Sequence, residues 1–161
     1  MRKLKLDDFK FDHIGIVCKD INKAAKFYTK AFGIKWDKIT ENDFSTDFTA
    51  RGKPTPHKSK IAFASMGQIR LELVQIIDGQ PIHAEFLKTN GEGIHHLSFL
   101  VKDLDGEVSN AEWQGLEVVS YFKVAGIMAL AYIDFLNKSG ILIELAQENL
   151  LEKVQATLAN Q

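Results

Sequence analysis

The stretch FDHIGIVCKDI (residues 11–21) is written a second time in the same chain, as HHLSFLVKDL (residues 95–104). With His13 set on His96, an offset of 83 residues, HIGIVCKDI and HLSFLVKDL stay in register through a shared Lys-Asp-apolar ending. Each copy is an apolar run of strand length that opens on a histidine. Each is followed by a helix-like segment, INKAAKFYTKAFGI in the first and LDGEVSNAEWQGLE in the second. In the first, Ala24, Phe27, Tyr28, Ala31 and Phe32 recur at helical spacing and Gly33 ends the run, as Gly115 does in the second.

The copies also close alike. RLELVQ (residues 70–75) and LIELAQ (residues 142–147) both alternate as strands do, with a glutamate at the centre. Before them, KIAFASMG and LAYIDFLNKSG each read as a strand running into a turn. The unit is therefore a strand, a helix and about three strands, used twice. It predicts an α+β domain over residues 9–147, with module one at about 9–77 and module two at about 92–147. The two βαβββ modules form a curved mixed sheet around a central cleft, in which equivalent histidines face one another.

The histidines are 83 residues apart and the glutamates Glu72 and Glu144 only 72, so the first copy carries 11 extra residues. They are assigned to ENDFSTDFTARGKPTPHKS (residues 41–59), a polar stretch with Pro54 and Pro56 that reads as a long loop or lid. A linker helix is expected at about 81–90. A C-terminal helix over 148–161 carries Leu150, Leu151, Val154 and Leu158 on one stripe, to pack on the domain or on a second subunit. A homodimer is the expected assembly.

Composition bounds the partners. A chain of 161 residues that is 45% hydrophobic and 25% charged, with a net charge of -1, is ordinary for a globular domain and gives no reason to expect nucleic acid or a membrane surface. Cys18 has no second cysteine to pair with and sits in an apolar run, so it reads as a small buried hydrophobe. MRKLKLDDFKF has no apolar signal-peptide core, which points to a cytoplasmic protein.

The repeat preserves two ionisable residues per copy among apolar neighbours: His13 and His96, Glu72 and Glu144. A pseudo-twofold axis would bring all four to one point. Imidazole and carboxylate suit one divalent ion such as cobalt, nickel, zinc or manganese, with positions left open for substrate. Such a centre can polarise a carbonyl and hold an enolate. Against this, a single strand glutamate is ordinarily solvated, a single strand histidine ordinarily structural, and duplication copies surface residues too. Alternation places His95 on the face opposite His96, so replacing His96 should cost metal affinity and replacing His95 should spare it. His57 and His83 read as solvated surface. Gln75 and Gln147, three residues after each glutamate, read as capping or structural residues. Arg51, Lys53, Lys58 and Lys60 are solvated or meet a phosphate-bearing substrate. Glu144 is the first candidate for moving a proton; Tyr132 and Asp134, on the preceding strand, are either a second proton group or hydrogen-bonded strand residues.

With these motifs the chain resembles the vicinal oxygen chelate superfamily, which includes glyoxalase I, methylmalonyl-CoA epimerase, extradiol dioxygenases and bleomycin resistance proteins. The resemblance spans about Phe11 to Gln147 and rests on FDHIGIVCKDINKAAKFY, IRLELVQ, GIHHLSFLVKDL and GILIELAQ. It implies paired βαβββ modules and metal ligands at His13, Glu72, His96 and Glu144. The segment QPIHAEFLKTNGEGIHHLSFLVKDLD is most similar to methylmalonyl-CoA epimerase, which implies a metal-dependent isomerase that epimerises a 2-substituted acyl-CoA through an enolate. A glyoxalase I-like lactoylglutathione lyase and a non-catalytic, drug-sequestering binding protein are the alternatives. The substrate is then a small molecule, a thioester in the epimerase case. PTPHKSKIAFASMG has no Asp or Glu, so no second base is read from that strand.

Overall fold

A computed structural model describes residues 1–124, 128–134 and 140–148. Module one contains β1 (Lys10–Val17), α1 (Ile21–Phe32), β2 (Thr40–Phe44), β3 (Phe48–Ala50), β4 (Lys53–Pro54), β5 (His57–Met66) and β6 (Ile69–Asp78). The linker helix α2 (Ile82–Asn90) follows. Module two contains β7 (Gly93–Val101), α3 (Leu104–Trp113), β8 (Glu117–Val124), β9 (Met128–Asp134) and β10 (Leu142–Gln147). The strands form one mixed sheet in the order β2-β5-β6-β1-β7-β10-β9-β8-β3-β4. Around the centre the order is symmetric: β1 runs parallel to β6, β7 runs parallel to β10, and β1 and β7 meet antiparallel. The sheet curls into a half-barrel, as the α+β reading expected.

The Lys-Asp-apolar ending shared by the copies is a helix start. Asp20 accepts a hydrogen bond from the Lys23 N–H and Asp103 from the Gly106 N–H, each capping the third residue of its helix. The apolar residues that follow, Ile21 and Leu104, are buried, and each donates its own N–H to a glutamine of the neighbouring strand. Gln75 accepts from Ile21 and Gln147 from Leu104, both at 2.9 Å. The repeated glutamines thus satisfy helix N–H groups that have no partner within the helix, the capping role expected of them. Helices α1 and α3 cover the outer face of the sheet. Cys18, Ile21, Ala62 and Leu73 form a core under α1, while Leu104, Ala111, Ile133 and Leu145 belong to the core under α3. Burial pushes the Cys18 thiol up to about 12, in keeping with an inert core cysteine.

The lid expectation is corrected. Residues 41–59 contribute β2, β3, β4 and the start of β5, and β3 crosses to the far edge of the sheet, where it pairs with β8 through Phe48↔Phe122 and Ala50↔Ser120. The charged residues of this stretch are exposed, while Phe44 and Phe48 turn inward onto Phe122 and close the cavity between the two sheet edges. Of the helix expected over 148–161, only Glu148 is among the described residues; its N–H donates to the Val101 carbonyl. No helix among the described residues is long and apolar enough to cross a membrane.

Gln75→Leu and Gln147→Leu should each lower unfolding stability by about 1–2 kcal/mol, measured by urea titration, because each strands a helix N–H. A wild-type midpoint in both variants would contradict the capping role.

Candidate metal centre

The centre is built on the β1–β7 ladder. His13 lies opposite Ser98 and His96 opposite Gly15, two pairs related by the pseudo-twofold axis. Alongside, Gly15 pairs with Glu72 of β6, which pairs with Phe63 of β5; Ser98 pairs with Glu144 of β10, which pairs with Tyr132 of β9. The spacing His-x-small in both copies now has a physical reason. A Cβ on Gly15 would lie 2.0 Å from Cε1 and 2.2 Å from Nε2 of His96, so the imidazole occupies the space of the absent side chain. At the other position the serine is small and useful: its Oγ donates to Glu144 Oε1 at 2.7 Å.

The four residues expected to be ligands come together. The two Nε2 atoms are 3.2 Å apart; Glu72 Oε2 is 3.4 Å from that of His13 and 3.3 Å from that of His96. Glu144 approaches His13 at 3.9 Å and His96 at 3.7 Å. Ligand bonds of about 2.0–2.2 Å give a coordination polyhedron with edges of roughly 3–3.5 Å; His13, Glu72 and His96 meet that spacing and could hold a divalent ion, while Glu144 stands slightly farther out. All four side chains are buried. The outer ring nitrogens are accounted for as well: His13 Nδ1 is 2.7 Å from Asp12 Oδ2, and His96 Nδ1 is 2.9 Å from His95 Nδ1. These partners hold each Nδ1, so that Nε2 is the nitrogen turned toward the centre.

Electrostatics is that of a cation site. Burial opposes charge on His13, but hydrogen bonds to Asp12 and Glu72, with the charges of Glu72 and Glu144, outweigh it and raise its pKa from the usual 6.5 to about 10. Burial likewise favours the neutral form of Glu72, yet its hydrogen bonds to His13 and His96 hold it well below the usual carboxylate range. Burial and the neighbouring charges of Glu144 and Glu72 push the Tyr132 phenol well above 10. His83 is lowered to about 3 by burial and by His96, and His95 falls well below its usual value for the same reason of burial, with His83 and His96 beside it.

Several expectations change here. His57 and His83, read as surface, are both buried. His57 opens β5 and stacks on Phe44, its ring meeting that of Phe48 edge-on; His83 stacks on His95 at 4.2 Å between ring centroids. His95 is not a bystander, since its Nδ1 meets His96. The basic residues near the supposed lid do not reach the cavity: Arg51 pairs with Glu117 and Glu85, Lys58 with Asp43 and Lys60 with Glu41, and Lys53 is not among the lining residues. Tyr132 lines the cavity and hydrogen-bonds Glu144. Asp134 is not among the residues lining this cavity; it lines a separate pocket with Arg51 and Glu85. Arg70 and Asp12 are additions. Arg70 lines the cavity, lies 3.9 Å over the Phe63 ring and reaches Asp12 at 3.5 Å. Asp12 could have been noticed beside its histidine, but Arg70 has no counterpart in LIELAQ to mark it.

The sequence profile of the Glyoxalase/Bleomycin resistance protein/Dioxygenase superfamily matches residues 12–132. The chain belongs to this superfamily. Among its relatives, the uncharacterized protein YqjC of Bacillus subtilis (strain 168) is 27% identical over 141 residues, covering 86% of this chain and 91% of that protein. The mitochondrial methylmalonyl-CoA epimerase of Bos taurus is 25% identical over 145 residues, covering 86% and 74%. The crystal structure of methylmalonyl-CoA epimerase from Mycobacterium tuberculosis superposes with a TM-score of 0.63 at 23% identity, covering 86% of this chain and 87% of that one. In this superfamily member, the duplicated module is the frame that brings the candidate ligand groups together.

Three outcomes follow from the geometry. Gly15→Ala should displace the His96 ring and lower metal affinity more than tenfold with the fold retained, read by competition with a chromogenic chelator and circular dichroism; wild-type affinity would contradict the packing argument. His95→Leu should cost about 10–100-fold in affinity, because His96 Nδ1–H loses its acceptor. The third concerns pH. The raised value of His13 means that its protonated form stabilises the ion-free protein fully below about pH 6.5, a contribution lost as pH rises toward about 10. A metal must displace that proton, so titration in weak buffer near neutral pH should release protons, and affinity should rise with pH through this window.

Proposed function

We propose that this protein is a metal-dependent isomerase that moves a proton α to a carbonyl through an enolate, with a 2-substituted acyl-CoA such as methylmalonyl-CoA as its substrate. The observation that carries this reading is the set of four buried donors: His13, Glu72 and Glu144 line an otherwise largely apolar cavity, and His96 lies against His13 and Glu72. One divalent ion held by these residues would supply Lewis-acid polarisation of vicinal substrate oxygens. The chain supplies the rest. Phe44, Phe48, Phe63, Met128 and Leu130 line the walls and exclude water, which strengthens every charge interaction inside. Glu144 is the group that takes or returns the α proton, with Ser98 donating to its Oε1 and Tyr132 hydrogen-bonded beside it. Tyr132 stays protonated and so acts as a donor that orients this carboxylate. Glu72, its pseudo-twofold counterpart, stands across the histidine pair as the carboxylate on the opposite side. Asp134 lies in the neighbouring pocket, which supports Tyr132 over Asp134 as the second participant.

The glyoxalase I-like alternative is less well supported by the cavity. Among the described residues, Arg70 is the only Lys or Arg that lines it, and Asp12 already engages it, whereas a glutathione tail brings carboxylates to be neutralised. The relatives' epimerase names point the same way. In heavy water, the metal-loaded protein should place deuterium at C2 of methylmalonyl-CoA without net conversion of the racemate. Tyr132→Phe should slow this by about 10–100-fold at unchanged metal content. Net formation of a thioester from the glutathione adduct of methylglyoxal would overturn the epimerase in favour of the lyase. Tight binding of an apolar ligand with no exchange would favour a sequestering protein.

A further inference from the structure

The end of the cavity away from the four donors carries polar groups that the proposed chemistry leaves unused. Along β5, His57, Ser59, Ile61 and Phe63 all face the cavity, as the period of two requires. Phe63 pairs with Glu72, so Ser59 lies four residues along the strand from the donor level, about 14 Å at ~3.4 Å per residue. Ser59 Oγ is buried without any hydrogen-bond partner, and the residue is 1% exposed. An orphaned buried hydroxyl of this kind asks for a ligand.

His57 stands next to it on the same face. Its Nδ1 is 3.1 Å from the Thr55 carbonyl, so this nitrogen donates and Nε2 is left as an acceptor. The ring is fixed between Phe44 and Phe48, and Gly79 packs so closely beneath it that a Cβ there would lie 2.7 Å from His57 Cβ. Burial lowers its pKa, which keeps the imidazole neutral. Asn42, paired with Ser59 across the ladder, also lines this end, and among the described residues no charged side chain does; Lys58 and Lys60 alternate to the other face, where they pair with Asp43 and Glu41. Between Lys58 and Ser59 the β5–β6 ladder slips by a residue, a bulge of the kind that re-aims side chains beside binding sites.

We propose that His57 and Ser59 form a second recognition subsite, which hydrogen-bonds a neutral group with both a donor and an acceptor, a hydroxyl or an amide, on the tail of a molecule whose head is held by the four donors. The tail's O–H or N–H donates to His57 Nε2, and its oxygen accepts from Ser59 Oγ. This rests on the metal-centre reading for the head and adds the part of the tail that lies in the cavity: elongated, mostly apolar, and neutral where it meets His57 and Ser59.

The test uses the cobalt-loaded protein and hydroxamates of graded length, from acetyl to decanoyl, each ended by a methyl, hydroxyl, primary amide or carboxylate. Acetohydroxamate reports the head alone and should bind wild type, Ser59→Ala and His57→Phe alike. At one chain length the hydroxyl- or amide-ended compound should bind wild type about tenfold more tightly than the methyl-ended one, and the better of the two identifies the group. The carboxylate-ended compound should bind more weakly than the methyl-ended one. Either substitution should abolish the preference, and Ser59→Ala should leave the thermal midpoint unchanged or raised, because it removes an unpaired hydroxyl. Failure of acetohydroxamate to bind removes the head site and the proposal with it. Head binding with no tail preference at any length, a preference that survives both substitutions, or a lowered midpoint in Ser59→Ala overturns the subsite alone.

Discussion

The antiparallel pairing of β1 with β7 is the constraint on which the rest of the molecule depends. Two strands of one sheet put side chains toward the same cavity only in register, and a one-residue slip would turn every one of them to the other face. Here the register sets His13 against Ser98 and His96 against Gly15. Each histidine needs a small residue opposite, and the pseudo-twofold axis meets both needs with one spacing. The glutamates follow from the same ladder, because Glu72 and Glu144 sit on the strands that flank the central pair, level with Gly15 and Ser98. A helix capped by Asp20 or Asp103 and by Gln75 or Gln147 then holds each module's outer face. The residues that recur between copies are thus the ones that place donors or start helices.

What does not recur explains how an open sheet becomes a cavity. The extra residues of module one carry the chain from β2 to the far edge of module two, where β3 pairs with β8. Ser120 Oγ donates to the Thr49 carbonyl, and Thr49 Oγ1 donates to the Tyr121 carbonyl, so side chains reinforce the short ladder. Phe44 and Phe48 ride on this crossing and supply apolar wall. Two identical modules would leave the sheet edges apart; one insertion suffices to bridge them.

Much of this was legible in the sequence because a repeat is a strong signal. The offset between HIGIVCKDI and HLSFLVKDL is enough to place both histidines on equivalent strands, and RLELVQ with LIELAQ does the same for the glutamates. Reading failed where pattern and polarity disagree. ENDFSTDFTARGKPTPHKS looks like a loop because its polar residues outnumber its apolar ones, yet strands with one solvated face need apolar residues only at alternate positions, and Phe44 and Phe48 met that need. His57 and His83 were misread because a histidine's burial is decided by tertiary neighbours, here Phe44, Phe48 and His95, which local sequence does not reveal. His95 was misjudged for a related reason. Alternation gives the direction of Cβ, but it does not stop two adjacent imidazoles from meeting at 2.9 Å.

The symmetry that builds the ligand set is broken one layer out, and that breaking gives the site a direction. His13 leans on a carboxylate, Asp12, which the partly exposed Arg70 engages; His96 leans on a neutral imidazole, His95, backed by His83 and enclosed by Phe86 and Tyr132. A carboxylate partner makes a ring more basic and more electron-rich than a neutral partner does, so two histidines that are equivalent by register differ in strength as donors. The glutamates differ as well, since Ser98 and Tyr132 engage Glu144 while Phe63 stands where Tyr132 would be beside Glu72. A substrate with two unlike oxygens would therefore meet two unlike halves, and only one orientation would place its α carbon beside the carboxylate that Ser98 and Tyr132 hold. Duplication supplied the candidate donors in pairs; divergence of their partners makes the two halves of the candidate site unlike.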